Sequence, residues 1–197
     1  EGDAPAAQAK FAGIVRQAQQ ARHIIDRLLV FARGGIEPGQ LVRVDLEASL
    51  ARARELVEVK LTQNQVTLSI TSAAPGLRVL AAPLELEHVF LNILLNAIHA
   101  IAERGPDGER LIQVRIAPHG EEAIVEIEDT GAGIDQGLIK TAFEPFVTTR
   151  PSGSGTGLGL PFVHSAMTAF GGKVEIGNGR SGALVRLTFR LPPPSGA

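Results

Sequence analysis

Asp129-Thr-Gly-Ala-Gly-Ile134 and, further along, Gly153-Ser-Gly-Thr-Gly-Leu-Gly-Leu160 decide how this chain is read. The first places one carboxylate directly after an apolar strand. That carboxylate can accept a hydrogen bond from an exocyclic amine, and Gly131 and Gly133 permit close approach of a flat ring. The second alternates glycine immediately before an apolar helix start, so its backbone N–H groups present positive charge to phosphate. It is not a P-loop, because no lysine follows the glycines. Nor does it follow the first strand of a parallel sheet, as dinucleotide-binding glycines do. Taken singly, the first stretch also suits a plain turn and the second a flexible linker.

Working upstream, Pro83 opens a helix running to about Arg104, ended by Gly105-Pro106-Asp107-Gly108. At about 100° per residue, Glu85, His88, Asn92, Asn96, His99 and Glu103 share one narrow stripe. The rest of its circumference is apolar, which predicts a buried helix whose polar stripe meets partners or a ligand. The amide oxygens of Asn92 and Asn96 suit Mg²⁺ that already carries water and phosphate oxygens. A buried asparagine can instead cap a neighbouring strand or loop. Between the glycine stretches, Phe143-Glu-Pro-Phe-Val-Thr-Thr-Arg150 reads as a loop anchored by aromatics that swings like a lid. Arg150 can neutralise terminal phosphates there.

The remaining pattern is mixed. Residues 6–33 carry apolar side chains at alternating spacings of three and four, predicting an amphipathic helix that wants partner helices, stopped by Gly34-Gly35. Asp45 caps a helix to about Leu61; strands are expected at Gln65–Thr71, Leu77–Ala81, Leu111–Ala117 and Ala123–Asp129, with a turn at Pro118-His119-Gly120. A helix follows at Leu158–Phe170, then a hairpin of Lys173–Gly177 and Ala183–Leu191 around Asn178-Gly179. The expected fold is a two-layer α/β sandwich, a mixed sheet of about five strands with helices on one face. The division expected is a helix over 1–36, a linker over 37–44, the main domain over 45–193 and a tail over 194–197.

Composition excludes other classes. The 197 residues contain no cysteine, so disulfides and thiolate chemistry are absent. A net charge of −2 gives no electrostatic case for nucleic acid or membrane as partner. No uninterrupted apolar run reaches the roughly 18 residues of a membrane span. The start, Glu1-Gly-Asp-Ala-Pro, has neither the basic end nor the apolar stretch of a signal peptide.

The motifs in this order resemble the catalytic ATP-binding domain of sensor histidine kinases, in the superfamily shared with gyrase, mismatch-repair and heat-shock chaperone ATPases. Asn92 and Asn96 match its asparagine box, Asp129, Gly131 and Gly133 its first glycine box, Phe143 and Phe146 its phenylalanine box, and Gly155, Gly157 and Gly159 its second glycine box. The segment Ile24–Arg33 is similar to the second helix of the kinase dimerisation hairpin. The resemblance implies the Bergerat-type ATP-binding fold and the cofactors ATP and Mg²⁺. Asn96 holds the metal in this reading, Asn92 and Arg150 assist, and Asp129 contacts the adenine amino group. His99, Ile134, Phe143, Thr149, Thr156 and Leu158 complete the implied nucleotide site. The family more often has lysine where Arg150 stands, and Arg forks where Lys is a point charge.

In hydrolysing members of the superfamily a glutamate precedes the metal-binding asparagine by one helical turn; here that position is Asn92. An amide takes up no proton near neutral pH, so hydrolysis through that base is disfavoured and transfer to a histidine is implied. Kinases of this family carry that histidine on the first hairpin helix, before Asp or Glu and soon Pro, and no such segment occurs here. His23 is exposed on its predicted helix, His119 lies at a turn, His164 follows the glycine loop, and His88 and His99 tune the site. The implied partners are a phosphoacceptor hairpin helix, from the rest of the kinase or a second subunit, and a response regulator. The full-length protein is expected to be a homodimer, with this segment in the cytoplasm and membrane anchoring left open. Two alternatives stay open: a hydrolytic ATPase using Glu85 or Glu103 as base, and a nucleotide-binding module without transfer activity.

Overall fold

Asp45 decides where the first described helix begins. Its carboxylate accepts a hydrogen bond from the Ala48 N–H at 3.0 Å, satisfying one of the amides that a helix start leaves unpaired. The computed structural model describes residues 41–105, 107–148 and 156–192. The chain divides into two units, residues 1–35 and 36–197, and every described residue belongs to the second. The amphipathic helix expected over 6–33 and the tail over 194–197 lie outside the described residues.

Helix α1 (Leu46–Gln63) buries Leu46, Leu50, Ala53, Val57 and Leu61, a stripe at spacings of three and four. The stretch expected as linker, 37–44, closes in a strand, β1 (Val42–Asp45). It pairs antiparallel with β3 (Arg78–Ala81), Val44 opposite Val79, in a ribbon separate from the main sheet. Leu77–Ala81 is therefore a strand as expected, but it does not add to the large sheet.

The large sheet has five strands in the order β2 (Thr67–Ser72), β4 (Leu111–His119), β5 (Glu122–Asp129), β7 (Ala183–Arg190), β6 (Lys173–Asn178). β2 runs parallel to β4 and every other pairing is antiparallel. Alternation gives the sheet two unlike faces. On one, buried Val114 faces Ile127, and buried Val125 lies between Ile116 and Leu187. On the other, Glu126 lies between Arg115 and Arg186, bonded to their guanidinium groups at 3.3 and 2.6 Å. β4 continues through His119, so the turn falls at Gly120-Glu121 rather than at Pro118. Pro118 is tolerated because β2 has already ended, its last residue Ser72 pairing with Ile116.

Helix α2 (Pro83–Arg104) packs against α1, β5 and α4 (Gly159–Ala169). Length and composition alone would let α2 cross a membrane. Instead Leu86, Val89, Phe90, Leu94 and Ile98 are fully buried, so it is the core helix of the sandwich. Gly105, at φ +98°, ends it in a backbone conformation that L side chains rarely adopt. A short helix, α3 (Gln136–Ile139), interrupts the loop read as irregular; Asp135 caps it through the Gly137 N–H at 2.7 Å.

Candidate functional site

Asp129 is the last residue of β5 and its side chain is on the apolar face, only 6% exposed. Its Oδ1 accepts from the Gly131 N–H at 2.8 Å and from the Ala183 N–H at 3.3 Å. Among the described residues nothing donates to Oδ2. The carboxylate is thus oriented by one oxygen and offers the other. Burial pushes the Asp129 carboxyl above the ordinary range; the Gly131 and Ala183 N–H groups oppose this, and the charge of Glu128 adds to it.

The glycines after it are where the chain must pass closest to other groups. A Cβ on Gly131 would lie 2.7 Å from the Ala100 Cβ and 2.8 Å from the Ala100 carbonyl carbon, so this turn rests directly on α2. Gly133, at φ +78°, has no room either, with Asn178 Oδ1 at 2.7 Å from such a Cβ. Thr130 locks the strand exit, its hydroxyl donating to the Glu109 carbonyl at 2.6 Å and accepting from the Leu111 N–H at 3.0 Å.

The asparagine stripe meets the second glycine segment. Asn92 is buried and donates from Nδ2 to the His88 carbonyl at 2.7 Å, which turns its Oδ1 outward toward the start of α4. A Cβ on Gly159 would sit 3.2 Å from that Oδ1 and 3.9 Å from Asn96 Nδ2. With no side chain at Gly159, both amides lie directly against the N-terminus of α4. His99 is half-buried on the same stripe, next to the Ala100 that supports Gly131.

The loop between the glycine segments is stitched to the second one. The Phe146 N–H donates to the Gly157 carbonyl at 2.9 Å, and a Cβ on Gly157 would lie 2.5 Å from the Phe146 carbonyl carbon. Both residues have positive φ, +68° for Phe146 and +62° for Gly157. The Phe146 ring is 72% exposed, whereas Phe143 lies against the His164 ring on α4 at 5.2 Å between centroids. Thr156 is exposed and Leu158 is buried at the foot of α4. Thr149, Arg150 and Gly155 lie outside the described residues.

Several residues around the site carry no local signal in the sequence. Asn178 Oδ1 accepts from the Ile134 N–H at 2.7 Å, while its Nδ2 donates to the Ile134 carbonyl at 2.8 Å. Gly182 is equally close, since a Cβ there would stand 2.7 Å from Asp129 Oδ1. The β6–β7 tip thereby holds the first glycine box, which also rests on α2. Its Asn-Gly pair reads as an ordinary hairpin turn, and only the fold brings it to a partner 44 residues away. Among the described residues no group of three or more His, Cys, Asp or Glu side chains is placed to hold a metal ion.

The chain is similar to known proteins in both sequence and fold. Residues 81–195 match the family described as histidine kinase-, DNA gyrase B-, and HSP90-like ATPase. The chain is 36% identical over 171 residues to the sensory histidine kinase/phosphatase NtrB of Escherichia coli O157:H7, a match covering 82% of this chain and 46% of NtrB. It therefore spans about half the length of that relative. Among solved structures, the catalytic domain of histidine kinase ThkA superposes with a TM-score of 0.67 at 24% identity, covering 77% of this chain and 95% of that one. Full-length ShkA in complex with AMPPNP gives a TM-score of 0.72 at 25% identity, over 94% of this chain and 40% of that one. On the match over residues 81–195, more than half of its length, this chain belongs to the histidine kinase-, DNA gyrase B- and HSP90-like ATPase family.

Proposed function

We propose that residues 45–193 are the catalytic ATP-binding domain of a sensor histidine kinase, holding MgATP for transfer of its γ-phosphoryl group to a histidine elsewhere. Residues 1–36 supply the second helix of a dimerisation hairpin and 37–44 the linker, its last residues forming β1. The observation that carries the reading is the one-sided use of Asp129. Two backbone N–H groups hold Oδ1, so Oδ2 is the atom offered to a donor, as an exocyclic adenine amine requires. Gly131, pressed onto Ala100, keeps the turn after Asp129 tight against α2. ShkA was solved with AMPPNP, and NtrB is named a histidine kinase/phosphatase; both support nucleotide binding and phosphoryl chemistry here.

Asn96 is the residue to hold Mg²⁺, which would supply charge neutralisation among the phosphates. Asn92 Oδ1 and the bare Gly159 backbone fit the polyphosphate end, and Arg150, Thr149 and Gly155 belong to the same end by their place in the sequence. His99, Ile134, Phe143, Thr156, Gly157 and Leu158 border the nucleotide in this reading. What these residues do is bind and orient; none supplies a general base, because Asn92 stands where a hydrolytic member carries glutamate. A hydrolytic role is correspondingly disfavoured. The acceptor is a hairpin helix from the rest of the kinase or a second subunit, the downstream partner is a response regulator, and the full-length protein acts as a cytoplasmic-facing homodimer.

The test follows γ-labelled ATP with this chain, Mg²⁺ and a separately supplied phosphoacceptor hairpin. Acid-labile, base-stable label is expected on the hairpin and not on this chain alone. Steady release of free phosphate without an acceptor would point to hydrolysis instead. Bound ATP with no transfer to a competent hairpin would leave a nucleotide-binding module.

A further inference from the structure

Glu128 precedes Asp129 in β5, with its side chain on the open face of the sheet, where an acidic residue ordinarily needs no explanation. Its surroundings are more committed than that. Oε1 accepts from the Arg180 N–H at 2.6 Å and the Ser181 N–H at 3.2 Å, both in the β6–β7 tip. Oε2 meets the Arg115 guanidinium at 3.1 Å, which fixes the carboxylate from the neighbouring strand. The tip is otherwise closed by the Gly179 N–H donating to the Gly182 carbonyl at 2.8 Å. A side chain on Gly179 would run into the Glu128 carboxylate, so the two are in close contact. Of the residues that follow, Gly182 lies against Asp129 and Ala183 donates its N–H to Oδ1.

We propose that Glu128 is a positioning residue for purine-base selection, holding the 179–182 tip so that Ala183 fixes Asp129 Oδ1 and leaves Oδ2 alone to meet the base. The inference rests on the reading of Asp129 as the base-recognising group. Glu128 itself touches no ligand. It acts through the tip, and its two backbone donors could be served by any acceptor of the same length. Glutamine retains that acceptor whereas alanine removes it. Without the tip, the Asp129 carboxylate loses one of its two orienting donors and is held by the Gly131 N–H alone, which loosens its aim.

The experiment titrates ATP and ITP, whose 6-oxo group replaces the amine, into the whole chain with Mg²⁺ by calorimetry. The proteins are the parent, Glu128→Ala, Glu128→Gln, Asp129→Asn and the double variant Glu128→Ala/Asp129→Asn. Glu128→Ala is expected to lower the ATP-over-ITP preference about tenfold, and Glu128→Gln about threefold or less, reflecting one or two lost hydrogen bonds against a retained acceptor. In the Asp129→Asn background the alanine change should alter that preference by less than about twofold, because the pathway already ends there. Equal losses for ATP and ITP, or full additivity in the double variant, would overturn the proposal. An Asp129→Asn protein with unchanged ATP affinity would instead sink the base-site reading itself. Should Glu128→Ala fail to fold, Glu128→Asp decides, because it keeps the charge but draws the acceptor back from the Arg180 and Ser181 N–H groups: a severalfold loss of ATP-over-ITP preference is expected, and an unchanged preference overturns the proposal.

Discussion

Asp129→Asn is expected to weaken ATP binding about 10- to 150-fold while the domain stays folded, the range following from about 1.5–3 kcal/mol for a hydrogen bond to a charged group. The direction is fixed by the backbone. The Gly131 and Ala183 N–H groups demand an acceptor at the inner position, so the introduced amide must keep its oxygen there. Its NH₂ then faces the ligand and meets the adenine amine donor to donor. The same orientation suits a 6-oxo purine, so ITP should lose far less affinity than ATP, or gain. The parent protein carries a linked pH signature. Burial raises the Asp129 carboxyl, and an amine donor favours its ionised form, so ATP affinity is full above the raised value and falls as pH drops through it. For folding, that same shift means stability from this group is greatest in acid and is lost as pH rises through the folded value. In Asp129→Asn the acid-side fall in affinity should vanish. Calorimetric titration across pH measures all three; a variant that binds ATP as tightly as the parent would remove Asp129 from the site.

Gly157→Ala should cut MgATP affinity by about 30-fold or more, yet change AMP affinity by no more than about threefold, because two penalties act at one atom. The backbone is at φ +62°, which costs an L side chain about 1–2 kcal/mol. The new methyl would also lie 2.6 Å from the Phe146 Cα, and backbone atoms cannot swing aside as a flexible side chain does. The loop carrying Phe146 must therefore separate from the glycine segment that leads to α4. The base end is fastened by other elements, with Asp129 held by the β6–β7 tip and Gly131 by α2. Equal losses for MgATP and AMP would show that the Phe146–Gly157 junction and the Asp129 end are one unit.

Parts of this architecture were legible because they are written locally. Pro83 and Gly105 bound α2 within the sequence itself, and the alternation Ile112-Val114-Ile116 declares which face of β4 is buried. Asp129, Gly131 and Gly133 stand out as a carboxylate and glycines at a strand end, though what presses on the glycines here is Ala100 and Asn178. β1 escaped notice because four residues are too few for alternation to register, and its partner β3 lies beyond a whole helix. Asn178 and Glu128 escaped for a related reason. An Asn-Gly turn and an outward strand glutamate look ordinary until the sheet brings each to backbone groups far away in sequence. Local chemistry announces the groups that face a ligand, whereas the groups that aim them are revealed only by topology.

The parallel edge strand has a further consequence, for the order in which the domain assembles. β4 and β5 are joined by a two-residue turn, and β6 and β7 by a short tip, so these antiparallel pairs close small loops at little entropic cost. β2 is different: Thr67 can find Leu111 only after β3 and α2 have been threaded between them. Pairings of that kind come late, since the loop must be closed before any contact rewards it. The amides of β2 should accordingly gain protection after those of β4 and β5 in pulsed hydrogen-exchange refolding. The turn carrying Asp129, at the end of β5, would then take shape before the strand that completes the sheet's far edge.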